Sequence, residues 1–377
     1  MPKSRRRKKP GKVCTVKMRT DIQGREKPLV IPIFIMNGGC PGQCIFCNEK
    51  IAAGDFAPEV SKSFFEAEVD AYLRWNKDKP RRAEIAFYGG NFTGLPPEDQ
   101  RRLLSWAQVY IQKGLVDAIR ISTRPDYISD NQLDLLYAYG VRTVEIGVQS
   151  MNDQVLCHAR RGHDAGSVVH ALTLLCAHGF QTGVHLMAGL PDDTRESFRE
   201  TLARVVELRP DTARIHPVLV FRDTPLAEEF KNGRYRPLSV DEAVEWCRLA
   251  WEALTPAGIR IIRFGLHVTP DMGREDAVLA GPLHPAFGSL VYSAIFYSAA
   301  LRLLRVVPEH TRMLHFRTAS RALSNFRGEQ NRNINAIKKL YPNAQIVIDS
   351  LHEGHPGRLS LVTETGKSHF LDIPGII

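Results

Sequence analysis

Three of the seven cysteines in this 377-residue chain lie within the short stretch N-G-G-C-P-G-Q-C-I-F-C-N. Cys40, Cys44 and Cys47 form the pattern C-x₃-C-x₂-C, on a segment rich in glycine and proline. Thiolates at such short spacing are typical ligands of zinc or of an iron–sulfur cluster. The spacing therefore predicts a metal centre on a loop, with these three cysteines as ligands.

The number of available ligands distinguishes two kinds of metal centre. A structural zinc site is closed by four nitrogen or sulfur ligands, whereas the first histidine of the chain is His158. Cys14 or Cys157 could supply a fourth thiolate, but neither has a spacing that supports it. A cluster held by three thiolates keeps one iron open to a further ligand, as a catalytic site requires. The sequence favours the cluster, and zinc is the alternative.

Short β-rich runs alternate with amphipathic segments over about residues 29–268, and these elements must position the cysteine loop. The predicted strands are 29–36, 84–88, 118–122, 143–148, 182–187, 213–221 and 259–264. The predicted helices are 61–75, 97–114, 130–139, 166–178, 194–208 and 240–254. Such alternation builds right-handed βαβ units around a parallel sheet. We predict an α/β fold with a partial or full TIM-like barrel, and a doubly wound sheet is the second choice.

Polar clusters follow the predicted strands throughout this region. In a TIM-like barrel, the chemistry lies on the loops after the strands, at their carboxyl ends. We therefore expect these clusters to meet at one rim of the barrel; they are residues 38–47, 89–93, 122–126, 149–150, 189–192 and 222–224.

The cysteine pattern, with Phe46 before its last cysteine, resembles that of the radical S-adenosylmethionine (radical SAM) superfamily. In that family, three thiolates hold a [4Fe-4S] cluster and S-adenosylmethionine binds the fourth iron. The resemblance implies both cofactors here, with Cys40, Cys44 and Cys47 as metal ligands and Phe46 at the cofactor site. It implies an enzyme that cleaves S-adenosylmethionine reductively to a 5′-deoxyadenosyl radical. An electron donor such as ferredoxin or flavodoxin would be a partner.

The resemblance also extends to the residues that follow the second predicted strand. Gly89 and Gly90 match the glycine motif that meets the amino group of S-adenosylmethionine in the family. Asn91 follows them at a position where family members often have an acidic residue. The resemblance therefore implies that Gly89, Gly90 and Asn91 belong to the cofactor site.

Four further residues match family positions that contact the cofactor. Glu145 and Gln149 lie in E-I-G-V-Q, which resembles the ribose-binding end of a strand. Arg161 matches an arginine proposed to hold the cofactor carboxylate, a role that suits a guanidinium fork. Gly189 lies in L-M-A-G-L-P, which resembles the stretch whose backbone meets adenine.

Within the superfamily, the sequence is most similar to the Elongator catalytic-subunit group and its shorter bacterial relatives. The resemblance covers about residues 28–268 and is carried by segments 122–128, 148–151, 160–163, 217–225 and 233–239. It implies modification of RNA, specifically tRNA. The acetyl-CoA loop of the full-length group, Gln/Arg-x-x-Gly-x-Gly/Ala, does not occur in this sequence, so acetyl transfer is not expected.

Two alternatives to RNA modification remain. One is a radical SAM oxidase or transferase that acts on a small molecule, similar to the oxygen-independent coproporphyrinogen oxidases. The other is a non-catalytic RNA-binding metalloprotein.

The net charge of +9 is concentrated near the N-terminus. We divide the chain into a basic tail (1–28), a radical SAM barrel (29–268) and a small α/β C-terminal extension (269–377). A run of like charges, as in the tail, often contacts nucleic acid. The alternative is that the tail only increases solubility and has no partner. A second basic stretch lies within 317–339, and an exposed helix start is the simpler explanation for it. Residues 3–12 of the tail carry seven positive charges with no acid among them, and these are Lys3, Arg5, Arg6, Arg7, Lys8, Lys9 and Lys12.

Composition argues against a membrane or secreted protein. The chain is 44% apolar and 24% charged, as is usual for a globular protein. We expect no segment that approaches the roughly 20 apolar residues needed to cross a bilayer. No apolar run follows the basic N-terminus, so we expect no signal peptide and no membrane partner. The expected location is cytoplasmic, where thiols stay reduced.

Overall fold

The structure of the protein is a computed structural model. It describes residues 28–35, 38–42, 44–48, 51–52, 60–76, 81–266, 268–274, 276–308, 310–351 and 357–376. The predicted basic tail, apart from Pro28, and Cys14 lie outside the described residues.

Strands and helices alternate along most of the described chain. The strands are β1 (Leu29–Phe34), β2 (Ala83–Tyr88), β3 (Ala118–Thr123), β4 (Val141–Gln149), β5 (Gln181–Ala188), β6 (Thr212–Pro217), β7 (Val220–Phe221), β8 (Arg260–Phe264), β9 (Val278–Ala280), β10 (Met313–Ala319), β11 (Gln345–Leu351), β12 (Arg358–Thr363) and β13 (Ser368–Asp372). The helices are α1 (Lys62–Trp75), α2 (Pro97–Gln112), α3 (Asp130–Ala138), α4 (Asp153–His158), α5 (Ala165–Ala177), α6 (Arg195–Leu208), α7 (Pro225–Lys231), α8 (Val240–Leu254), α9 (Phe287–Leu304), α10 (Leu323–Arg327) and α11 (Arg332–Leu340).

Seven strands form one parallel sheet in the order β1-β2-β3-β4-β5-β6-β8. This order follows the chain, whereas a doubly wound sheet reverses its direction at a switch point. Among the residues that the structure describes, the edge strands β1 and β8 do not pair with each other, so the sheet is an open, partial barrel. The predicted partial TIM-like barrel is confirmed, and the doubly wound alternative is wrong.

Local sequence signals explain where the barrel helices begin. The side chain of Thr194 caps α6 and pairs reciprocally with Ser197, and Ser239 does the same with Glu242 at the start of α8. Such capping boxes satisfy backbone N–H groups that have no partner within the helix. Each of these helices therefore begins directly after the last residue of the loop before it. The other residues of that loop can stay at the rim and be polar.

One predicted strand divides into two elements. The run 213–221 continues in the sheet only as far as Pro217, the last residue of β6. Proline has no N–H to donate to a ladder, so it suits the end of a strand. The chain then forms β7, which pairs antiparallel with β9 in a separate two-stranded sheet. The prediction of one continuous strand was wrong at this position.

The C-terminal region contains a second sheet. Four strands have the order β11-β10-β12-β13, with β10 and β11 parallel and the other pairs antiparallel. The core continues from the barrel into this region, since the rings of Phe264 in β8 and Tyr292 in α9 lie 5.7 Å apart between centroids. A small α/β extension is therefore present as predicted.

Helix α9 was missed by the sequence analysis. Its apolar residues surround it rather than forming one stripe, which is typical of a fully packed helix. By length and composition alone it could cross a membrane, contrary to the expectation that no segment comes close, and half of it is buried in the fold. Phe287, Val291 and Phe296 on this helix belong to the hydrophobic core. Packing within the core thus accounts for its composition.

Candidate functional site

A cavity of about 1150 Å³ occupies the inside of the open barrel and reaches the cysteine loop. Three of the predicted site residues, Asn91, Glu145 and Gly189, do not line it. The other predicted site residues all do, and they are Cys40, Cys44, Phe46, Cys47, Gly89, Gly90, Gln149 and Arg161. The rim predicted from the sequence therefore forms one continuous surface around these residues.

Asn91 links three segments of the rim, although it does not face the cavity. Its side chain is fully buried, and its amide nitrogen donates to the carbonyl oxygen of Gly39 at 2.9 Å. Its amide oxygen accepts from the Thr123 hydroxyl at 2.6 Å and from the backbone N–H of Arg124 at 3.1 Å. Both ends of the amide are used, so Asn91 positions the cysteine loop against the end of β3.

Glycines allow the cysteine loop to lie against the turn after β2. Gly39 has a φ of +73°, and a Cβ there would lie 2.2 Å from the carbonyl oxygen of Asn91. A Cβ at Gly90 would lie 2.6 Å from the carbonyl oxygen of Gly38. Heavy atoms cannot approach so closely, so these positions require glycine.

Gly39→Ala is expected to lower the free energy of unfolding by about 1–3 kcal/mol or more. This range is the usual cost of a non-glycine residue in the left-handed conformation. The displaced loop should also hold less iron after anaerobic reconstitution. Denaturant titration and iron analysis measure the two effects. Gly42→Ala is the matched control, because a Cβ there would have no neighbour within 4 Å. Equal stability and iron content in the two variants would contradict the proposed packing.

Arg161 connects the cysteine loop to β4. Its Nη1 donates to Cys44 Sγ at 3.0 Å, and its Nη2 donates to the carbonyl oxygen of Gly147 at 2.7 Å. The residue is buried, and among the described residues its Nε has no hydrogen-bond partner. A charged donor beside a sulfur suits a thiolate ligand, and the unused Nε is a donor that a bound anion could satisfy.

Arg124 and His163 also lie near this rim, and neither was among the predicted cofactor contacts, although Arg124 belongs to the polar cluster 122–126 that was expected there. Arg124 lines the cavity and forms a two-pronged ion pair with Asp126, at 3.0 and 2.8 Å. Burial and the charge of Arg161 lower the pKa of His163 to about 4, so this imidazole is neutral near pH 7. The position of Arg124 directly after a predicted strand was the signal that could have identified it.

Glu145 lies at the centre of a buried polar network inside the barrel. Its Oε1 accepts from Arg120 Nη1 at 2.5 Å, and its Oε2 lies 2.6 Å from His185 Nε2 and 3.0 Å from Arg214 Nε. Burial alone would raise the pKa of Glu145, but the hydrogen bond from His185 and the charges of Arg214 and Arg120 hold it far below the ordinary range. The Glu145 carboxylate therefore binds these three side chains and does not line the cavity.

The network continues onto the neighbouring strands. Arg120 also donates to Glu84 Oε2, from Nε at 2.9 Å and from Nη2 at 2.6 Å. Arg214 Nη2 donates to the Tyr88 hydroxyl at 2.8 Å. Buried parallel strands are normally continuous apolar runs, so charged residues at alternate positions of these strands were an available signal for a polar interior.

Gln149 and Gly189 occupy different places at the ends of β4 and β5. Gln149 lines the cavity with a positive φ of 67°. The carbonyl oxygen of Gly189 accepts the hydroxyl of Tyr235 at 2.6 Å, outside the cavity lining. The structure thus brings Gln149, but not Gly189, to the surface that the cysteines share.

The described thiols are not gathered around one metal position. Among the described residues, no three histidine, cysteine or acidic side chains are grouped closely enough to hold one metal ion. In a [4Fe-4S] cluster each thiolate binds a different iron, so the sulfurs need not converge on one point. Cys157, a possible fourth zinc ligand, is exposed on α4 and does not line the cavity. The unpartnered Nε of Arg161 adds a donor for an anionic cofactor group.

Comparison with known proteins gives consistent matches. The family model described as "Radical SAM superfamily" matches residues 34–205, and the model described as "Radical_SAM C-terminal domain" matches residues 210–296. A tRNA uridine(34) acetyltransferase of Methanocaldococcus jannaschii is 30% identical over 315 residues, which cover 71% of this chain and 57% of the relative. Elongator complex protein 3 of Homo sapiens is 31% identical over 202 residues, 48% of this chain and 37% of that protein.

A solved structure has the same fold. The archaeal Methanocaldococcus infernus Elp3 superposes with a TM-score of 0.57 at 20% identity, and the match covers 77% of this chain and 66% of that chain. The chain spans little more than half the length of the archaeal tRNA uridine(34) acetyltransferases from Methanocaldococcus jannaschii and Methanocaldococcus infernus, at 57% and 58%.

Proposed function

Because this chain belongs to the radical SAM superfamily, we propose that Cys40, Cys44 and Cys47 hold a [4Fe-4S] cluster and that the protein cleaves S-adenosylmethionine reductively to a 5′-deoxyadenosyl radical. The observation that carries the proposal is that the three thiols, the Gly89–Gly90 turn and Arg161 share one cavity surface. When bound, the cluster would supply one electron to the sulfonium of S-adenosylmethionine.

The cavity residues have distinct proposed roles in binding the cofactor. Arg161 would donate to the cofactor carboxylate from Nε, since its other two nitrogens are already used by Cys44 and Gly147. The backbone after β2, at Gly89 and Gly90, would receive the amino group, and the Gln149 side chain would bind a ribose hydroxyl. Phe46 would cover the site from the cysteine loop.

Other predicted site residues would act indirectly, through neighbouring groups. Asn91 would position the cysteine loop, because both ends of its amide are occupied by protein groups. Glu145 would hold Arg120, Arg214 and His185 in place inside the barrel. The adenine contact is proposed for the backbone around Gly189, whose own carbonyl oxygen is taken by Tyr235.

Arg161→Ala is expected to weaken binding of S-adenosylmethionine by about tenfold or more, since it removes a charged donor. Iron content should fall less, because the three thiolates remain. Equilibrium binding to the anaerobic protein and iron analysis per chain separate the two effects. Arg160→Ala, one residue away and exposed, is the matched control. Equal loss of iron and of cofactor binding in Arg161→Ala would contradict the carboxylate role.

We propose RNA, and specifically tRNA, as the substrate. Two observations support this: archaeal relatives are named tRNA uridine(34) acetyltransferases, and seven positive charges lie within residues 3–12 of the N-terminal tail. Arg332, in the second basic stretch (317–339), already pairs with Asp241 at 2.9 Å. This stretch therefore supports RNA binding less than the tail does. A cytoplasmic location and a ferredoxin or flavodoxin as electron donor are consistent with this chemistry.

Mass analysis of RNA nucleosides from cells with and without the protein tests the substrate. A modified nucleoside that disappears without the protein, and retention of RNA that falls steeply with salt, would support it. An unchanged nucleoside profile, together with unchanged turnover after the tail charges are neutralised, would point instead to a small-molecule substrate similar to that of coproporphyrinogen oxidase. A colourless, iron-free protein that still binds RNA would indicate the non-catalytic alternative.

A further inference from the structure

We propose that the end of the cavity farthest from the cysteines binds an anionic group, a phosphate or a carboxylate, on an elongated substrate, with Arg260 as its main contact. The inference rests on the proposed function, because the ligand is the substrate of that reaction. It concerns cavity residues that have no proposed role in binding the cofactors.

The cavity lining carries an excess of positive charge. Glu68 is the only acidic residue among the described residues that line it. Against this one carboxylate stand six guanidinium groups, which belong to Arg120, Arg124, Arg161, Arg214, Arg260 and Arg263. A concave site lined by charges of one sign raises the local concentration of ligands of the opposite sign.

Four of these arginines already have strong partners. Arg161 donates to Cys44, and Arg124 pairs with Asp126. Arg120 and Arg214 share the carboxylate of Glu145 within the buried network. Each of these four groups is held in place by a protein side chain, and the Nε of Arg161 is the proposed donor to the cofactor carboxylate.

Arg260 differs from them. The Nε atoms of Arg161, Arg214 and Arg260 are all buried without a hydrogen-bond partner, but of these three guanidinium groups only that of Arg260 has no other side-chain partner among the described residues. Burial, together with the charge of Arg120, lowers the pKa of Arg260, and burial with the charge of Arg214 lowers that of Arg263. The charges of Glu84 and Asp211 offset the half-buried Arg260 cation only in part, and an anionic ligand would offset the remainder.

The position of Arg260 distinguishes this site from the cofactor site. Arg260 is the first residue of β8 and pairs with Thr212, the first residue of β6. The rim lies at the other end of these parallel strands, after Pro217, so the two levels are about 16 Å apart at the usual rise per residue. The cavity of about 1150 Å³ exceeds the roughly 300–1,000 Å³ typical of a site for one drug-sized ligand. It therefore has room for a second molecule that extends from the rim to Arg260.

The test compares the full chain and its Arg260→Gln variant in sodium phosphate, sodium acetate and sodium chloride at equal ionic strength. Wild-type protein should be stabilised against heat by phosphate or by acetate relative to chloride. Because phosphate also stabilises proteins without binding a site, only the stabilisation that is lost in Arg260→Gln counts: if it occurs with phosphate alone it assigns a phosphate group to the substrate, and if it occurs with acetate alone it assigns a carboxylate. Arg260→Gln should bind the effective anion about tenfold more weakly, and Arg260→Lys should retain part of the binding.

A structural role for Arg260 predicts a different result. In chloride, Arg260→Gln should be at least as stable as the wild type, because it removes a half-buried cation that has no ion-pair partner among the described residues. Arg199→Gln, which removes an exposed arginine paired with Glu196 on α6, should leave the anion effect unchanged. Loss of stability in chloride with unchanged anion binding, or no anion selectivity in the wild type, would overturn the proposal.

The two proposals can fail separately. The anion measurements need neither cluster nor S-adenosylmethionine, so they can be interpreted even if the protein holds no iron. Conversely, iron content and cleavage of S-adenosylmethionine without substrate should be the same in Arg260→Gln as in the wild type. If the wild type and Arg260→Gln both cleave S-adenosylmethionine but the wild type shows no anion selectivity, only the proposed anion site is refuted.

Discussion

Cys44→Ala is expected to abolish reductive cleavage of S-adenosylmethionine and to remove most of the iron from the reconstituted protein. Cys44 is the most buried of the three loop cysteines, and it accepts a hydrogen bond from Arg161 at 3.0 Å. Two thiolates cannot hold a cluster that needs three protein ligands, and the buried Arg161 would lose its sulfur acceptor. Formation of 5′-deoxyadenosine by the anaerobic, reduced protein is the measurement, together with iron and sulfide analysis.

Cys157→Ala is the matched control, because Cys157 is exposed on α4 and lies outside the cavity. This variant should keep full iron content and full cleavage. Cleavage that persists in Cys44→Ala would contradict the proposed chemistry. Zinc in place of iron in freshly prepared, oxygen-free wild-type protein would do the same.

Glu145→Ala is expected to destabilise the protein by about 3–5 kcal/mol, the usual effect of removing one partner from a buried ion pair. The substitution leaves the buried guanidinium groups of Arg120 and Arg214 without the carboxylate that they share. Denaturant titration measures the loss. Glu207→Ala, on the exposed side of α6, should change stability by no more than about 0.5 kcal/mol.

The same network predicts how stability depends on pH. Because the pKa of Glu145 is lower in the folded protein than in the unfolded chain, its contribution is complete above the unfolded pKa of about 4.3. The contribution is lost as the pH falls below that value toward the folded pKa. Wild-type stability should therefore fall on acidification below about pH 4.3 more steeply than that of Glu145→Gln. Parallel curves for the two proteins would show that Glu145 is not the ionised centre of the network.

Most of the barrel could be predicted because its signals are local. Alternating apolar runs and amphipathic helices depend on neighbouring residues, and the predicted strands and helices from 29 to 264 occur where expected. The exceptions have local reasons too: Pro217 ends β6 early, and α9 is apolar on all sides. The radical SAM resemblance is confirmed by family models that together span residues 34–296.

The candidate site was only partly predictable. The cysteine spacing predicts ligands whose relative positions depend on a few bonds along the chain, and the positions of Gly89 and Gly90 likewise depend on neighbouring residues. The roles of Asn91 and Glu145 depend instead on which residues face them across the sheet. Sequence similarity therefore placed both among the cofactor contacts, whereas the structure shows each surrounded by protein groups.

The residue order of this chain is sufficient to specify a loop with three closely spaced thiols at the rim of a parallel sheet, since both the loop and the sheet depend on spacing and periodicity over short distances. The charged interior could not be read in this way. Arg120 and Arg214 meet Glu145 from 25 and 69 residues away, and such contacts depend on the register of neighbouring strands. A shift by one residue would turn each side chain to the opposite face, so only the folded sheet shows which charges are paired and which, like that of Arg260, are left for a ligand.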